Sequence, residues 1–212
     1  MTVTRLVLVR HGETVWNLQK RWQGHLDSPL TPLGLAQAQA AAAWLAGESI
    51  NQVYASDLGR VIATAEQIAA PHGRPIHTDV RLRERHNGLF EGLSEDEVKA
   101  HHPEEHDVFR RMGYDGDYAI PGGGESRAQV LARGMACLEE LVQRHPGEQM
   151  VVVSHGGWLS TMLRHMLGIP FGHSHGFSIA NGSIHRVHFS GDRWMVDTLG
   201  EAGHLRNLNH GL

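Results

Sequence analysis

Two short runs of mostly branched apolar residues, at positions 5–9 and 149–153, constrain this chain more than any other feature of its sequence. Each run has the length and composition of a β-strand that is buried on both faces. Each is soon followed by the same polar step, His11-Gly12 after the first run and His155-Gly156 after the second. Because ligands bind outside the carboxyl ends of the strands in open parallel sheets, we expect the two imidazoles to meet over one site.

Helical patterns alternate with these and other strand patterns. Thr31 suits the N-cap position, and Pro32 the first position, of a helix that extends to about Gly47. Ser126 suits the N-cap of a helix whose apolar residues repeat with the helical period. The sequence also predicts a helix over 58–70 capped by Ser56-Asp57, a helix over 158–167, strands over 52–55 and 76–78, and a terminal hairpin of residues 183–189 and 193–199.

This alternation of strands and helices predicts the fold class. We expect an α/β fold, a three-layer sandwich with a mostly parallel sheet flanked by helices. The length of 212 residues suits a single domain over residues 1–212. Residues 113–124 are rich in Gly and Asp, and we expect them to form a surface loop within a lid or insert around residues 84–125.

Composition and charge narrow the classes of function. Hydrophobic residues at 41% and charged residues at 20% are typical of a folded globular chain. A formal net charge of -4 argues against a nucleic-acid-binding protein. No apolar run approaches the roughly 20 residues needed to cross a bilayer, and Met1 leads into a strand pattern rather than a signal peptide. With a single cysteine, Cys137, these features predict a cytoplasmic protein that contacts neither nucleic acid nor membrane.

An anion site is predicted in spite of this negative net charge. Arg10 precedes His11, and Arg60 lies near the start of the predicted helix over residues 58–70. Guanidinium groups have the geometry that binds phosphate through two parallel hydrogen bonds. Glycine after each of the two histidines allows the backbone to turn sharply and to approach a ligand closely. Together these residues indicate a pocket for a phosphate or a similar anion.

The stretch from Leu8 to Thr14, Leu-Val-Arg-His-Gly-Glu-Thr, resembles the signature of the histidine phosphatase superfamily. The resemblance is to its phosphoglycerate-mutase-like branch, which contains broad-specificity phosphatases and cofactor-dependent phosphoglycerate mutases. It continues in chain order at Trp16-Asn17, Gln23-Gly24, residues 27–31, residues 56–60, Glu84, Gly88, Glu91-Gly92, residues 124–126 and residues 154–156.

The resemblance implies a mechanism for these side chains. His11 is the implied nucleophile, which attacks phosphorus and forms a phosphohistidine intermediate. Arg10, Arg60 and His155 are implied to neutralise the transferring oxygens, so that no metal and no cofactor are required. Glu84 matches the general acid, which protonates the leaving oxygen and later activates water. That role needs a protonated carboxyl group, which a partly desolvated pocket with other carboxylates nearby would favour.

The expected substrate is a small phosphorylated molecule. By resemblance, Asn17, Gln23 and the backbone of Gly24 bind its phosphate or the rest of the substrate. Arg110 and Arg111 fall about where the mutases carry an arginine pair for the substrate carboxylate. Possible assembly into a homodimer is a family-level expectation only.

Two activities fit the same intermediate, because water or a second hydroxyl group can accept the phosphoryl group. Gln23-Gly24 followed by residues 27–31 is similar to the phosphatases, whereas Glu84-Arg85-His86 and the Arg110-Arg111 pair are similar to the mutases. Asn87 stands where the mutases usually have Tyr, and the chain lacks their longer insert. We therefore favour a phosphatase, with a mutase primed by 2,3-bisphosphoglycerate as the alternative. A third class, a non-enzymatic phospholigand-binding module, is disfavoured because the sequence keeps the nucleophile and the acid.

Histidines outside this set are interpreted as structural or solvated, since the chain has 17 of them. This interpretation covers His25, His72, His185 and His188. The groups His101-His102 with His106, and His173 with His175, are likewise expected to lie on solvated surfaces, because no cysteine or carboxylate set completes a metal site.

Overall fold

A single six-stranded sheet organises the chain in the computed structural model, which describes residues 2–173 and 176–208. The strands are β1 Val3–Arg10, β2 Gln52–Ala55, β3 Ile76–Thr78, β4 Gln149–Ser154, β5 Ile184–Ser190 and β6 Arg193–Glu201. Their order across the sheet is β3-β2-β4-β1-β5-β6. The first four of these are mutually parallel, whereas β5 runs antiparallel to both β1 and β6. The predicted α/β fold with a mostly parallel sheet is confirmed.

Helices cover both faces of the sheet. The α-helices are α1 Val15–Leu18, α2 Pro32–Leu45, α3 Gly59–Ala69, α4 Glu95–His101, α5 Pro103–Met112, α6 Arg127–Arg144 and α7 Gly156–Met166. Alternate residues of β1 point to opposite faces: Leu6 and Leu8 pack with the buried residues of α6 and α7, while Val7 and Val9 pack with those of α2 and α3. This alternation of side chains is a direct consequence of strand geometry and produces two apolar layers around one sheet.

Two of the predicted helix starts are confirmed by their hydrogen bonds. The Thr31 hydroxyl accepts from the Gly34 N–H at 3.0 Å, as an N-cap residue does. Ser126 forms a reciprocal capping box with Gln129 at the start of α6. Cys137 is buried in α6, in agreement with a packing role.

The predicted cap of α3 is wrong. This helix begins at Gly59, and its N-cap residue Leu58 has no side-chain cap bond. The Asp57 carboxylate accepts from Arg83 Nε at 2.7 Å instead. The Ser56 hydroxyl lies 3.0 Å from a ring nitrogen of His155. Both side chains that the local sequence assigns to the helix end therefore form hydrogen bonds with residues distant in the chain.

Residues 84–125 contain two helices that the sequence analysis does not predict, α4 and α5. Pro103 occupies the first turn of α5, so the break at this proline separates two helices rather than ending one. The insert has its own apolar cluster, formed by Phe90, Val98 and Ile120 with partly buried neighbours such as Trp22 and Phe109.

The expectation of a solvated surface is wrong for His106. Its side chain on α5 is buried, 6% exposed, with a ring nitrogen 3.6 Å from the Glu95 carboxylate on α4. The packing of α5 against α4 accounts for this burial. His101 and His173 are exposed as expected, and His175 lies outside the described residues.

Neither a membrane span nor a metal cluster occurs in the part of the chain that the structure describes. No helix there is long and apolar enough to cross a bilayer. Within the same residues, no group of three or more His, Cys, Asp or Glu side chains is arranged to hold a metal ion.

Close backbone contact at Gly34 fixes helix α2 against the loop after β1. A methyl group added at Gly34 would overlap the Glu13 carbonyl oxygen. We expect Gly34→Ala to lower the free energy of unfolding by about 1–3 kcal/mol, because backbone atoms cannot yield as a flexible side chain does. Urea unfolding measures the change. Gly47→Ala is the matched control, since a methyl group there meets no atom within 4 Å and should shift stability by less than about 0.5 kcal/mol. Equal effects of the two substitutions would contradict the contact.

Candidate active site

Strand pairing brings the two His-Gly steps together. Strands β1 and β4 are adjacent and parallel, and Arg10 pairs with Ser154 in their register. The two histidines follow these strands directly, and the His11 N–H donates to the Ser154 carbonyl at 3.0 Å. Their ring centroids are 5.3 Å apart, and both side chains are buried. The predicted meeting of the two imidazoles at one edge of the sheet is confirmed.

One ring nitrogen of His11 forms a hydrogen bond with the backbone, which leaves the other available to a substrate. Its Nδ1 lies 2.7 Å from the Gly12 carbonyl oxygen. Since a carbonyl group only accepts hydrogen bonds, Nδ1 carries the proton and Nε2 has a free lone pair. Burial, reinforced by the charges of Arg10 and Arg60, lowers the pKa of His11 well below its usual value. The ring is therefore neutral at pH 7 and can act as a nucleophile.

Both ring nitrogens of His155 are occupied. Arg60 Nη2 lies 3.1 Å from Nδ1, which must accept because a guanidinium group only donates. Nε2 therefore carries the proton and donates to the Ser56 hydroxyl at 3.0 Å. Burial, with the charge of Arg60 as the next cause, lowers the pKa of His155 well below its usual value. In this arrangement His155 orients Arg60 rather than presenting a free nitrogen to the cavity.

Arg10 and Arg60 each keep one donor without a partner. Arg10 Nη1 donates to the Ile179 carbonyl at 2.7 Å, and Arg60 Nη1 donates to Asp27 Oδ1 at 2.9 Å. These bonds orient the two guanidinium groups, but both Nε atoms are buried without a hydrogen-bond partner. A buried donor that lacks a partner is costly, and an anion in the cavity would satisfy both atoms.

Glu84 lies at the amino end of α7. Its carboxylate accepts from the N–H groups of Gly157, Trp158 and Arg85, each at 2.9 Å. A side chain at Gly157 would collide with this carboxylate, since its Cβ would lie 2.6 Å from Glu84 Oε1. Three backbone N–H donors therefore fix the Glu84 carboxylate at the amino end of α7.

A cavity of about 670 Å³ opens in front of these groups. Asn17, Gln23 and Gly24, which are expected to bind substrate, line this cavity. Asn17 Oδ1 accepts from the Thr14 N–H and from Asn181 Nδ2, each at 3.1 Å, and Gln23 Oε1 is buried without a partner.

Only one residue of the predicted arginine pair lies at this cavity. Arg110 is on the cavity wall, but Arg111 is exposed beside Asp107 in a separate surface depression. Arg110 also lines this depression and so lies between the two spaces, whereas Arg111 does not line the main cavity.

Comparison with known proteins agrees with the geometry. The sequence profile of the histidine phosphatase superfamily (branch 1) matches residues 6–202. The metal-independent phosphoserine phosphatase of Arabidopsis thaliana is 39% identical over 97% of this chain and 85% of its own length. The probable phosphoglycerate mutase GpmB of Yersinia pestis is 34% identical over 95% of this chain and 94% of its own. The chain belongs to the histidine phosphatase superfamily.

Solved structures of similar length share the fold of this chain. YhfR of Bacillus stearothermophilus superposes with a TM-score of 0.88 at 32% identity, over 96% of this chain and 100% of its own. A mycobacterial glucosyl-3-phosphoglycerate phosphatase, solved with VO3, gives a TM-score of 0.81 at 34% identity, over 93% and 98%. This protein is therefore an enzyme of the superfamily rather than a binding module.

The cavity is strongly cationic. Among the described residues that line it, Glu84 is the single acidic side chain. Seven cationic side chains line the same space: Arg10, Lys20, Arg21, Arg60, Arg85, Arg110 and Arg127. Such a site concentrates anionic substrates even though the net charge of the protein is negative.

Several residues at this site belong to no sequence motif. Lys20, Tyr114, Arg127 and Thr161 line the cavity, and His25 Nε2 donates to the Glu84 carbonyl at 2.9 Å. Lys20 and His25 lie between α1 and α2, Tyr114 follows α5, and Arg127 and Thr161 lie on α6 and α7, so these residues are far apart in the chain. No local motif marks them, and only the tertiary fold assembles them.

Buried neutral histidines make stability depend on pH. Burial lowers the pKa of His185 to about 4, and the pKa values of His11 and His155 also lie well below 6.5. Below about pH 6.5 the unfolded chain therefore binds more protons than the folded protein, so the free energy of unfolding falls as the pH falls. We expect a loss of about 1.4 kcal/mol per pH unit for each histidine that stays neutral.

Urea unfolding between about pH 7 and about pH 5 measures this loss. His185→Gln should reduce the slope by the contribution of one histidine. A free energy of unfolding that stays constant over this interval would show that these rings take up protons in the folded protein.

Proposed function

We propose that this enzyme hydrolyses small phosphomonoesters, with His11 as the nucleophile. The observation that carries the proposal is the free Nε2 of a neutral His11 beside two guanidinium groups with unpartnered Nε atoms. A lone pair faces the space that an anion would occupy. The names of the relatives, several of which are phosphatases, support the same reaction.

In the first step, Nε2 of His11 attacks phosphorus, a P–N bond forms and the P–O bond to the leaving group breaks. Arg10 and Arg60 stabilise the charge on the phosphoryl oxygens through their Nε donors. His155 acts as a positioning residue, since it accepts a hydrogen bond from Arg60 Nη2. The chain thus supplies positive charge at the reacting group from its own side chains.

Glu84 supplies and later removes a proton. Its carboxylate is held by three backbone N–H donors, at the wall of the cavity that the phosphate group would occupy. A phosphomonoester has a second pKa near 6, so its monoanion can bring that proton into the site. Glu84 passes the proton to the leaving oxygen. In the second step it accepts a proton from the water that attacks the phosphohistidine, and phosphate leaves.

A phosphoglycerate mutase is the second candidate, favoured by Arg110 on the cavity wall and by the name of the Yersinia relative. In that reaction a hydroxyl group of the substrate, rather than water, accepts the phosphoryl group, and 2,3-bisphosphoglycerate primes His11. We favour hydrolysis because Arg111, the other residue of the predicted pair, lies outside the cavity.

Phosphorus NMR with 3-phosphoglycerate and a panel of phosphomonoesters distinguishes the two reactions. We expect free phosphate to appear without added 2,3-bisphosphoglycerate, and His11→Ala to reduce its formation by about 10³-fold or more because the P–N bond cannot form. His188→Ala, on β5, is the control and should retain activity. Rapid formation of 2-phosphoglycerate with little phosphate would identify a mutase, and undiminished hydrolysis by His11→Ala would exclude the mechanism.

The role of Glu84 is tested by the leaving group. Glu84→Gln cannot donate the proton, so we expect kcat for an alkyl phosphomonoester to fall by about 10²–10⁴-fold. With p-nitrophenyl phosphate, whose phenolate leaves without protonation, the fall should be less than about tenfold. Steady-state kinetics on both substrates measures the difference, with Glu66→Gln on the exposed face of α3 as the control. Equal losses with both leaving groups would assign Glu84 a structural role.

A further inference from the structure

Arg164 is a buried cation that the proposed mechanism does not use. Its side chain on α7 is 1% exposed. Nη2 donates to the Pro170 carbonyl, whereas Nε and Nη1 are buried without a hydrogen-bond partner. Among the described residues no carboxylate lies within 4.0 Å of it. A guanidinium group with two unused donors and no counter-charge is costly to bury, so its retention calls for an anion.

A second cavity lies against Arg164. It has a volume of about 310 Å³ and is lined by Leu131, Thr161, Arg164 and the segment that follows α7. Thr161 also lines the main cavity, so one threonine side chain forms a wall shared by the two spaces. Arg164 therefore lies in a cavity that is separated by Thr161 from the one that contains His11.

Arg127 brings a second guanidinium group to the same region. It lines the main cavity, its Nε donates to the Gly113 carbonyl at 2.9 Å, and it lies 5.3 Å above the Tyr114 ring. Burial and then the charge of Arg164 lower the pKa of Arg127. No carboxylate among the described residues forms an ion pair with Arg127.

The surrounding backbone holds these two side chains in place. The Gly172 N–H donates to the Tyr114 carbonyl at 2.7 Å, which joins the loop after α5 to the segment after α7. Tyr114 lies beneath the Arg127 guanidinium group, and Phe171 lies 5.6 Å beneath that of Arg164. Rings in these positions orient both cations through cation–π contacts and leave their N–H donors for a ligand.

We propose that Arg164 and Arg127 form a second anion subsite, which selects phosphomonoesters that carry a further acidic group over their neutral counterparts. A carboxylate suits this subsite because a guanidinium group binds it through two parallel hydrogen bonds. The acidic group would supply the counter-charge that the fold withholds from Arg164. The inference rests on the proposed phosphatase function and adds a class of substrate to it.

Two pairs of substrates that differ in a carboxylate test the subsite. Phosphoserine is compared with phosphoethanolamine, and 3-phosphoglycerate with glycerol 3-phosphate, by the ratio of their kcat/KM values. For the native enzyme we expect the acid to be preferred by about tenfold or more, as for a charged hydrogen-bonded contact. Arg164→Met and Arg127→Met should each reduce that ratio about tenfold or more. A purely structural role would lower kcat/KM for both members of a pair and leave the ratio unchanged.

Two controls separate the alternatives. Arg74→Met removes an arginine whose Nε bonds the Ile50 carbonyl, away from the cavity, and should leave the ratio at its native value. Arg110→Met tests the rival position on the main wall. A ratio that falls in Arg110→Met and not in Arg164→Met would overturn the proposal. If Arg164→Met does not fold, an unchanged substrate ratio in Arg127→Met would overturn the proposal.

The outcomes also distinguish this inference from the proposed function. A native enzyme that releases no phosphate from any of the four compounds would refute the phosphatase function itself. Hydrolysis of both members of each pair with equal kcat/KM would refute only the second subsite. Activity that depends on added malonate, with the substrate ratio unchanged in the variants, would assign the subsite to a separate anion and overturn its role in substrate selection.

Discussion

The parallel pairing of β1 with β4 is the constraint on which the rest of the site depends. Because Arg10 pairs with Ser154, the residues that follow these strands, His11 and His155, leave the sheet side by side. A shift of one residue in this register would turn every side chain of a strand to the opposite face, exchanging Leu8 with Val9 between the two apolar layers. The packing that stabilises the fold therefore also fixes the distance between the two imidazoles.

Positive charge without full compensation is the second organising feature of the site. The fold orients Arg10 through the Ile179 carbonyl and Arg60 through Asp27, yet leaves a buried donor on each. Arg60 and Arg10 also hold His11 neutral, since burial and their charges oppose a proton on its ring. The unpaired buried donors of Arg10 and Arg60 lower the stability of the protein without an anion. The same two side chains keep His11 neutral and offer hydrogen-bond donors to an anion.

Sequence alone predicts the elements whose signals are local. The apolar run of β4, the cap of α2 at Thr31 and the two His-Gly steps are confirmed, because periodicity, capping and strand-end position act over a few residues. Ser56-Asp57 has an equally clear local signal, but partners distant in the chain take its side chains. Arg127 and Arg164 belong to no sequence motif. They stand out because they lack a counter-charge, which can be seen only in the assembled fold.

Under the proposed function and the proposed subsite, helix α7 connects Glu84 with Arg164. Its amino end binds the Glu84 carboxylate through the N–H groups of Gly157 and Trp158, and Arg164 lies about two turns further along the same helix. An α-helix is rigid over this length, so an acidic group bound at Arg164 fixes the rest of the substrate relative to Glu84. Binding energy from the remote group is then used to align the leaving oxygen with its acid, which raises the rate of the chemical step as well as affinity. Selection of substrate and protonation of the leaving group are in this way two functions of one helix.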